Sequence, residues 1–247
     1  MELKKAVFNF LYFDECTEIS DDMAKLSPEE YTEYEDLRDE DEALIRGGWM
    51  SAIEALISHL PIDNFLRTRT IVKTIHWNID CGERFPRVVI ETLRGTLIMA
   101  KTAIVTLPLG VLKANTVTFV PPLPDRKLRA IDRLGFGCVV KIFLFFQRQW
   151  WSNHVELNAL FLDSIPDNIT VIRGLYRDES DSLWYRDLVG FNSVYGNELV
   201  LQSWAVGQSA RTIERLPTLE VTSVLNQILL KAFQSEFDVQ LPYRVQK

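Results

Sequence analysis

Apolar and polar positions along the chain follow two periods. Trp49, Ile53, Leu56, Ile57 and Leu60 recur at the spacing of one helix face, and Pro61 ends the run. This pattern predicts a helix that packs by one apolar face. The same spacing over Val221, Val224, Leu225, Ile228 and Leu229 marks the clearest amphipathic helix, within 217–233. A third helix is expected to open at Pro124 and Asp125, carry Leu128, Ile131 and Leu134, and close at Gly135. Ser27, Pro28, Glu29 and Glu30 form a helix start, with serine as the cap and proline in the first turn. Residues 1–26 read as helical or irregular. Three strands are expected at 69–77, 87–93 and 97–107, separated by turn signals at Cys81 and Gly82 and at Gly95, and together they read as an antiparallel meander. Further strands are expected over 135–146 and 199–206. The segment 152–198 is mixed, with a polar, loop-like stretch at 177–182. There is no internal repeat and no low-complexity linker.

One polar position breaks the strand pattern. Lys141 lies within a run of Cys138, Val139, Val140, Ile142, Phe143, Leu144, Phe145 and Phe146, which predicts a buried strand. Side chains alternate along a strand, so Lys141 shares a face with Val139, Phe143 and Phe145. A bare ammonium there costs several kcal/mol unless it meets water, a partner or a ligand, by the usual magnitude of burying a charge (~3–5 kcal/mol). Two readings follow: an edge-strand lysine that blocks sheet-to-sheet aggregation, or a lysine placed for chemistry.

Composition narrows the classes. The 247 residues carry 47% hydrophobic and 25% charged residues, an ordinary globular balance. The net charge is -7, which offers no basic face to phosphates and argues against nucleic acid as a partner. An acidic surface attracts cationic substrates instead. The stretch 29–42 is mostly acidic; it reads as a solvated face or as an acidic rim for a polyamine. Cys16, Cys81 and Cys138 have no paired spacing, which points to free thiols in a reducing compartment, and three scattered histidines suggest no metal site. No run approaches the ~20 apolar residues of a membrane span. The N-terminus does not have the pattern of a signal peptide, Val245, Gln246 and Lys247 are not a peroxisomal tripeptide, and a cytoplasmic location is expected.

Several segments carry a resemblance in kept order and spacing. They are Thr106, Leu107, Pro108, Leu109, Gly110, Val111, Leu112 and Lys113; then Phe119, Val120, Pro121, Pro122, Leu123 and Pro124; then Lys141, Ile142, Phe143 and Leu144 with Trp150 and Trp151. This pattern resembles the flavin-containing amine oxidases, a family that includes polyamine oxidases, monoamine oxidases and the lysine-specific histone demethylases. Leu183, Trp184, Tyr185 and Arg186, then Gly190 and Phe191, Tyr195, and the run from Ser203 to Gly207 look most like animal spermine and acetylpolyamine oxidases. Glu30 to Glu33 and Gly47 to Met50 are similar to the segment upstream of their central strands.

The resemblance implies an α+β fold. A mixed-sheet substrate domain would combine with an antiparallel β-meander from the flavin domain. Residues 1–66 would be the helical part of the substrate domain, 67–117 the meander, and 118–247 the substrate-domain sheet and helices. It implies FAD as cofactor, a small-molecule amine as substrate, and oxidation by hydride transfer with release of hydrogen peroxide. Lys141 would hold a water beside the flavin, and Val72 would contact the adenine end through its backbone, although a plain core valine fits equally well. Asp22 would hold a distal amine. Trp204 or Tyr185 would line an amine tunnel, or simply fill the core. Animal spermine oxidases carry a serine two residues beyond the acidic position, where this chain has Ala24.

No strand followed by G-x-G-x-x-G occurs in the sequence, so it shows no pyrophosphate cradle. The resemblance places the chain over the middle half of a family member, between the first and last flavin motifs. That implies a chain inactive by itself, and leaves a non-catalytic remnant or interaction module as the alternative. The faces around Val72 and around 106–113 are then expected to form an apolar patch or an open groove.

Overall fold

The computed structural model describes residues 2–33, 45, 47–79, 87–151, 157–158, 180–233 and 238–247. In chain order the elements are α1 (Glu2–Ile19), α2 (Pro28–Tyr31), α3 (Trp49–Ile57), α4 (Ile62–Phe65), β1 (Val72–His76), β2 (Val88–Thr92), β3 (Leu97–Ala100), α5 (Leu109–Lys113), β4 (Thr118–Val120), α6 (Asp125–Arg133), β5 (Val139–Phe145), β6 (Leu157–Asn158), β7 (Gly190–Val194), β8 (Asn197–Val206), α7 (Gly207–Arg215), α8 (Thr218–Phe233) and β9 (Arg244–Gln246). Short 3-10 segments lie at Met23–Lys25 and Ser180–Asp187. The chain divides into two units, one of residues 1–34 with 137–247 and the other of 35–136. The turn expected at Cys81 and Gly82, the acidic residues from position 34 onward and the start of the polar stretch at 177–179 lie outside the described residues.

In the first unit a five-stranded sheet runs in the order β6-β7-β8-β5-β9. Its core follows from alternation in β5. Val140, Ile142, Leu144 and, just beyond the strand, Phe146 are buried, while Val139 and Lys141 are exposed. The inward side chains meet the stripe of α8, where Val221, Val224, Leu225, Ile228 and Leu229 are all fully buried. Each such side chain contributes about 1.5–3 kcal/mol relative to its exposed state. Phe146, Trp150 and Trp151 pack edge to face at ring separations of 5.1 to 6.0 Å, the arrangement that ring quadrupoles favour.

In the second unit a four-stranded sheet runs in the order β3-β2-β1-β4. The expected meander forms as β1, β2 and β3, antiparallel throughout, and the β2–β3 turn uses Gly95 at φ +78°. β4 adds in parallel to β1. Lys113 at the end of α5 donates from Nζ to the Asp132 carbonyl on α6 at 2.7 Å.

Three sequence expectations change. The sheet around Lys141 is antiparallel in every described pairing, and the parallel pair lies in the other sheet. The helix over 125–134 forms as α6 but belongs with the β1–β4 unit; α7 and α8 supply the buried helical faces of the Lys141 unit. The helix carrying Trp49 and Leu56 forms as α3, yet none of its residues is buried, and both of those side chains are 77% exposed. A helical period identifies an apolar face; it does not identify an element to cover it.

Candidate functional site

Lys141 sits on β5 with hydrogen-bonded neighbours on both sides, β8 along its length and β9 along its second half. At Lys141 itself β8 is the one described strand neighbour, because the β9 pairing begins only at Phe143. The register places it directly opposite Trp204 of β8. Cross-strand partners are close enough to interact, and here the Lys141 Nζ lies 3.8 Å from the centre of the Trp204 ring. A cation over a ring face at an exposed position contributes about 0.5–1 kcal/mol. Lys141 is exposed and Trp204 is half-buried, and the ammonium forms no ion pair among the described residues. Two residues anticipated separately are thus brought into contact. Tyr185, the other candidate for an amine tunnel, is buried in the core at 2% exposure.

Asp22 belongs to a turn fastened to the same corner of the sheet. The Cys138 amide donates to the Ser20 carbonyl at 3.0 Å, and the Gly207 amide donates to the Cys138 carbonyl at 2.9 Å. These bonds join the end of α1, the start of β5 and the end of β8. Cys138 is three residues from Lys141, or about 10 Å along a strand. The close approach requires glycine at two places. A side chain on Gly137 would begin 2.3 Å from the Ser20 carbonyl oxygen, and one on Gly207 would begin 2.9 Å from Asp21 Oδ1. Gly207 also adopts φ +57°.

Within that turn, Asp22 caps the Met23–Lys25 segment by accepting from the Ala24 amide at 2.8 Å. Tyr12 of α1 donates its hydroxyl to the same carboxylate oxygen at 2.5 Å. The Tyr12 hydrogen bond, and then the Ala24 amide, hold the Asp22 carboxyl below the ordinary aspartate range. The same bond is the main cause that pushes the Tyr12 hydroxyl up. Asp187 behaves oppositely. Burial pushes its carboxyl up, against the donated hydrogen bond from Ser209, and the negative charge of Asp22 adds to the rise. Burial likewise raises the Cys16 thiol, which is 2% exposed, and the Cys138 thiol, where Glu214 adds to the rise.

Val72 lies in the other unit, half-buried at the start of β1. It pairs with Thr92 of β2, a bulge follows before Thr74, and the pairing with β4 begins only at Thr74. Beside it Ile71 is 64% exposed, and Ile104, before α5, is 92% exposed, so apolar surface does lie open near both expected faces. A cavity of about 520 Å³ in this unit is lined by Leu112, Lys113, Phe119, Leu123, Leu128 and Ile131, and none of the four anticipated site residues lines it.

The signals that sequence reading missed are Tyr12, Asp187 and Ser209. Tyr12 lies in a helix whose apolar residues have no clean stripe, so nothing marked it out. Among the described residues no cluster of histidine, cysteine or carboxylate side chains suits a metal ion, and no helix is long and apolar enough to cross a membrane.

The described residues thus give an α+β frame with a strand lysine stacked on a tryptophan and, in the same unit, a carboxylate held by a turn. The chain belongs to the flavin containing amine oxidoreductase family, whose model matches residues 5–246. It is 32% identical over 241 residues to a human peroxisomal N(1)-acetyl-spermine/spermidine oxidase, an alignment covering 92% of this chain and 45% of that protein. It is 30% identical over 224 residues to a probable polyamine oxidase 5 of Arabidopsis thaliana, covering 89% of this chain and 38% of that one. A solved cyclohexylamine oxidase from Brevibacterium oxydans superposes with a TM-score of 0.46 at 15% identity, over 77% of this chain and 36% of that one. The chain spans about half the length or less of these relatives.

Family membership implies a flavin. Two observations are compatible with one: among the described residues the exposed Lys141 ammonium is in no ion pair, and the β4 pairing begins two residues beyond Val72.

Proposed function

We propose that this chain carries the amine-handling residues of an FAD-dependent oxidase acting on a polyamine. The observation that supports this most is the Lys141–Trp204 pair. An ammonium on an apolar strand that, among the described residues, meets a ring and no carboxylate keeps its N–H groups available. A bound flavin supplies the acceptor for a hydride from the carbon beside the substrate nitrogen, and its reoxidation by dioxygen yields hydrogen peroxide. Lys141 orients a water toward the reacting centre, and that water is placed to add to the imine carbon of the oxidised substrate. Trp204 holds Lys141 and offers its ring to an alkyl-ammonium chain. Asp22 takes a second, distal ammonium of the same substrate through a charge-assisted hydrogen bond. Val72 contacts the nucleotide end of the cofactor through its backbone.

On this reading the β1–β4 unit is part of the flavin-binding domain and the Lys141 sheet is the substrate domain. The free thiols of Cys16 and Cys138 suit a reducing compartment such as the cytoplasm. The test is Lys141→Met in a completed, flavin-loaded enzyme that joins this chain to the first and last flavin motifs, mixed anaerobically with spermine or its acetylated form. The bleaching of the flavin, or its recovery on admitting oxygen, should slow by about 10²-fold, the usual scale for losing one positioned proton-handling group. The melting temperature should stay close to that of the parent. Unchanged rates in both directions would remove Lys141 from the mechanism.

A further inference from the structure

We infer that Tyr12 is a positioning residue, which orients the Asp22 carboxylate so that one oxygen is committed to the protein and the other is presented to an ammonium. The inference rests on the reading of Asp22 given above and extends it. Both donors that reach Asp22, the Tyr12 hydroxyl at 2.5 Å and the Ala24 amide at 2.8 Å, meet the same atom, Oδ1. Oδ2 has no partner among the described residues, and the residue is exposed. A lone aspartate on a turn rotates between rotamers. Two donors from different directions on one oxygen fix the side chain and aim the lone pairs of the other outward.

Among the described residues no cation forms an ion pair with that carboxylate. Lys25 forms its ion pair with Asp21 at 2.8 Å and acts on Asp22 only through space, as a minor cause of its lowered pKa. The remaining titratable neighbours are the Cys16 thiol and the Asp187 carboxyl, neither of which supplies positive charge. The geometry explains why a tyrosine serves at this place. Its hydroxyl lies at the end of a rigid ring with only two torsions, and α1 holds the ring one turn before buried Cys16. The ligand class is a diamine or polyamine, reaching Asp22 with a terminal or secondary ammonium.

The experiment compares the purified chain, Tyr12→Phe and Asp22→Asn, using spermine as probe by calorimetry, with the Asp22 carboxyl signal followed by NMR as pH falls. Tyr12→Phe removes one hydroxyl from a half-exposed ring and leaves the helix intact. It should weaken spermine binding by about five- to tenfold, the effect of one hydrogen bond to a charged group. It should also move the Asp22 titration to higher pH, so that binding is lost earlier on acidification. Asp22→Asn should weaken binding more. If Asp22→Asn weakens binding while Tyr12→Phe changes neither affinity nor the Asp22 titration, the positioning role is wrong and the role of Asp22 stands. If Asp22→Asn leaves affinity unchanged, both are wrong. A fall in melting temperature in Tyr12→Phe with an unmoved Asp22 titration would show only a structural contact, and also overturns the inference.

Discussion

The two units of this molecule bury very different amounts of their apolar sequence. In the Lys141 unit, Ile142, Leu144, Phe191, Leu201, Ile213 and Ile228 are fully enclosed between the five-stranded sheet and the helices α7 and α8. In the β1–β4 unit, the described apolar residues that reach the buried class are Ile75 and Val88, while Trp49, Leu56, Phe65 and Ile104 are mostly exposed. The second unit is not poorer in apolar residues. It has the stripes, but its described elements cover them less. Hydrophobic stabilisation follows area removed from water and not composition, so most of it resides in the Lys141 unit. The chemistry-bearing contacts, Lys141 with Trp204 and Tyr12 with Asp22, sit in that same well-packed unit, where positions are held. Val72, with its half-built strand edge, sits in the other.

The largest effect should come from a core truncation placed on each side of this comparison. Phe191→Ala removes a ring that is fully buried and packs edge to face with Phe233 at 6.3 Å. It should cost about 3–5 kcal/mol in denaturant unfolding. Leu56→Ala, at a side chain 77% exposed, should stay within about 0.5 kcal/mol. Equal losses at the two positions would mean that α3 is covered in solution and that the contrast between the units is false.

A smaller effect sharpens the account of the well-packed unit. Asp187 is the group in it for which burial works against charge. Its folded pKa is raised above the ordinary aspartate range by burial, so its contribution is fully present in acid and is lost as pH rises through the folded value. Asp187→Asn keeps an acceptor for the Ser209 hydroxyl and removes the titration. The variant should melt about 2–4 °C above the parent at neutral pH, the size expected for a kcal/mol in a chain of this length. The difference should vanish in acid, where the parent carboxyl is protonated in both states. A variant less stable than the parent at neutral pH would show that the fold favours the charged carboxylate, and would overturn the raised pKa.

How much of this was legible beforehand differs between the same two units. The α8 stripe and the alternation of β5 were read directly, because both faces of the pattern are satisfied within one unit. Lys141 stood out because it interrupts an apolar run, and motif spacing gave it a role. Its contact with Trp204 was not legible, since register between strands some sixty positions apart is set by packing and not by local pattern. The antiparallel sheet was missed because β6 and β9 are two and three residues long and carry no alternation to read. The exposure of α3 could not be inferred from a helical period. The Tyr12 contact depends on a turn pressed against Gly137 and Gly207, and a glycine in sequence does not announce which backbone approaches it.

The central proposal is that Lys141, Trp204 and Asp22, all carried by one unit, act together in receiving a polyamine, and chemical-shift mapping of the purified chain with spermine tests it most directly. The account predicts that the Trp204 indole signal and the Asp22 and Ala24 amide signals move together and saturate at a single affinity, with the β1–β4 unit unmoved. Shifts that scatter over the acidic surface without saturating, or that leave Trp204 and Asp22 in place, would contradict it.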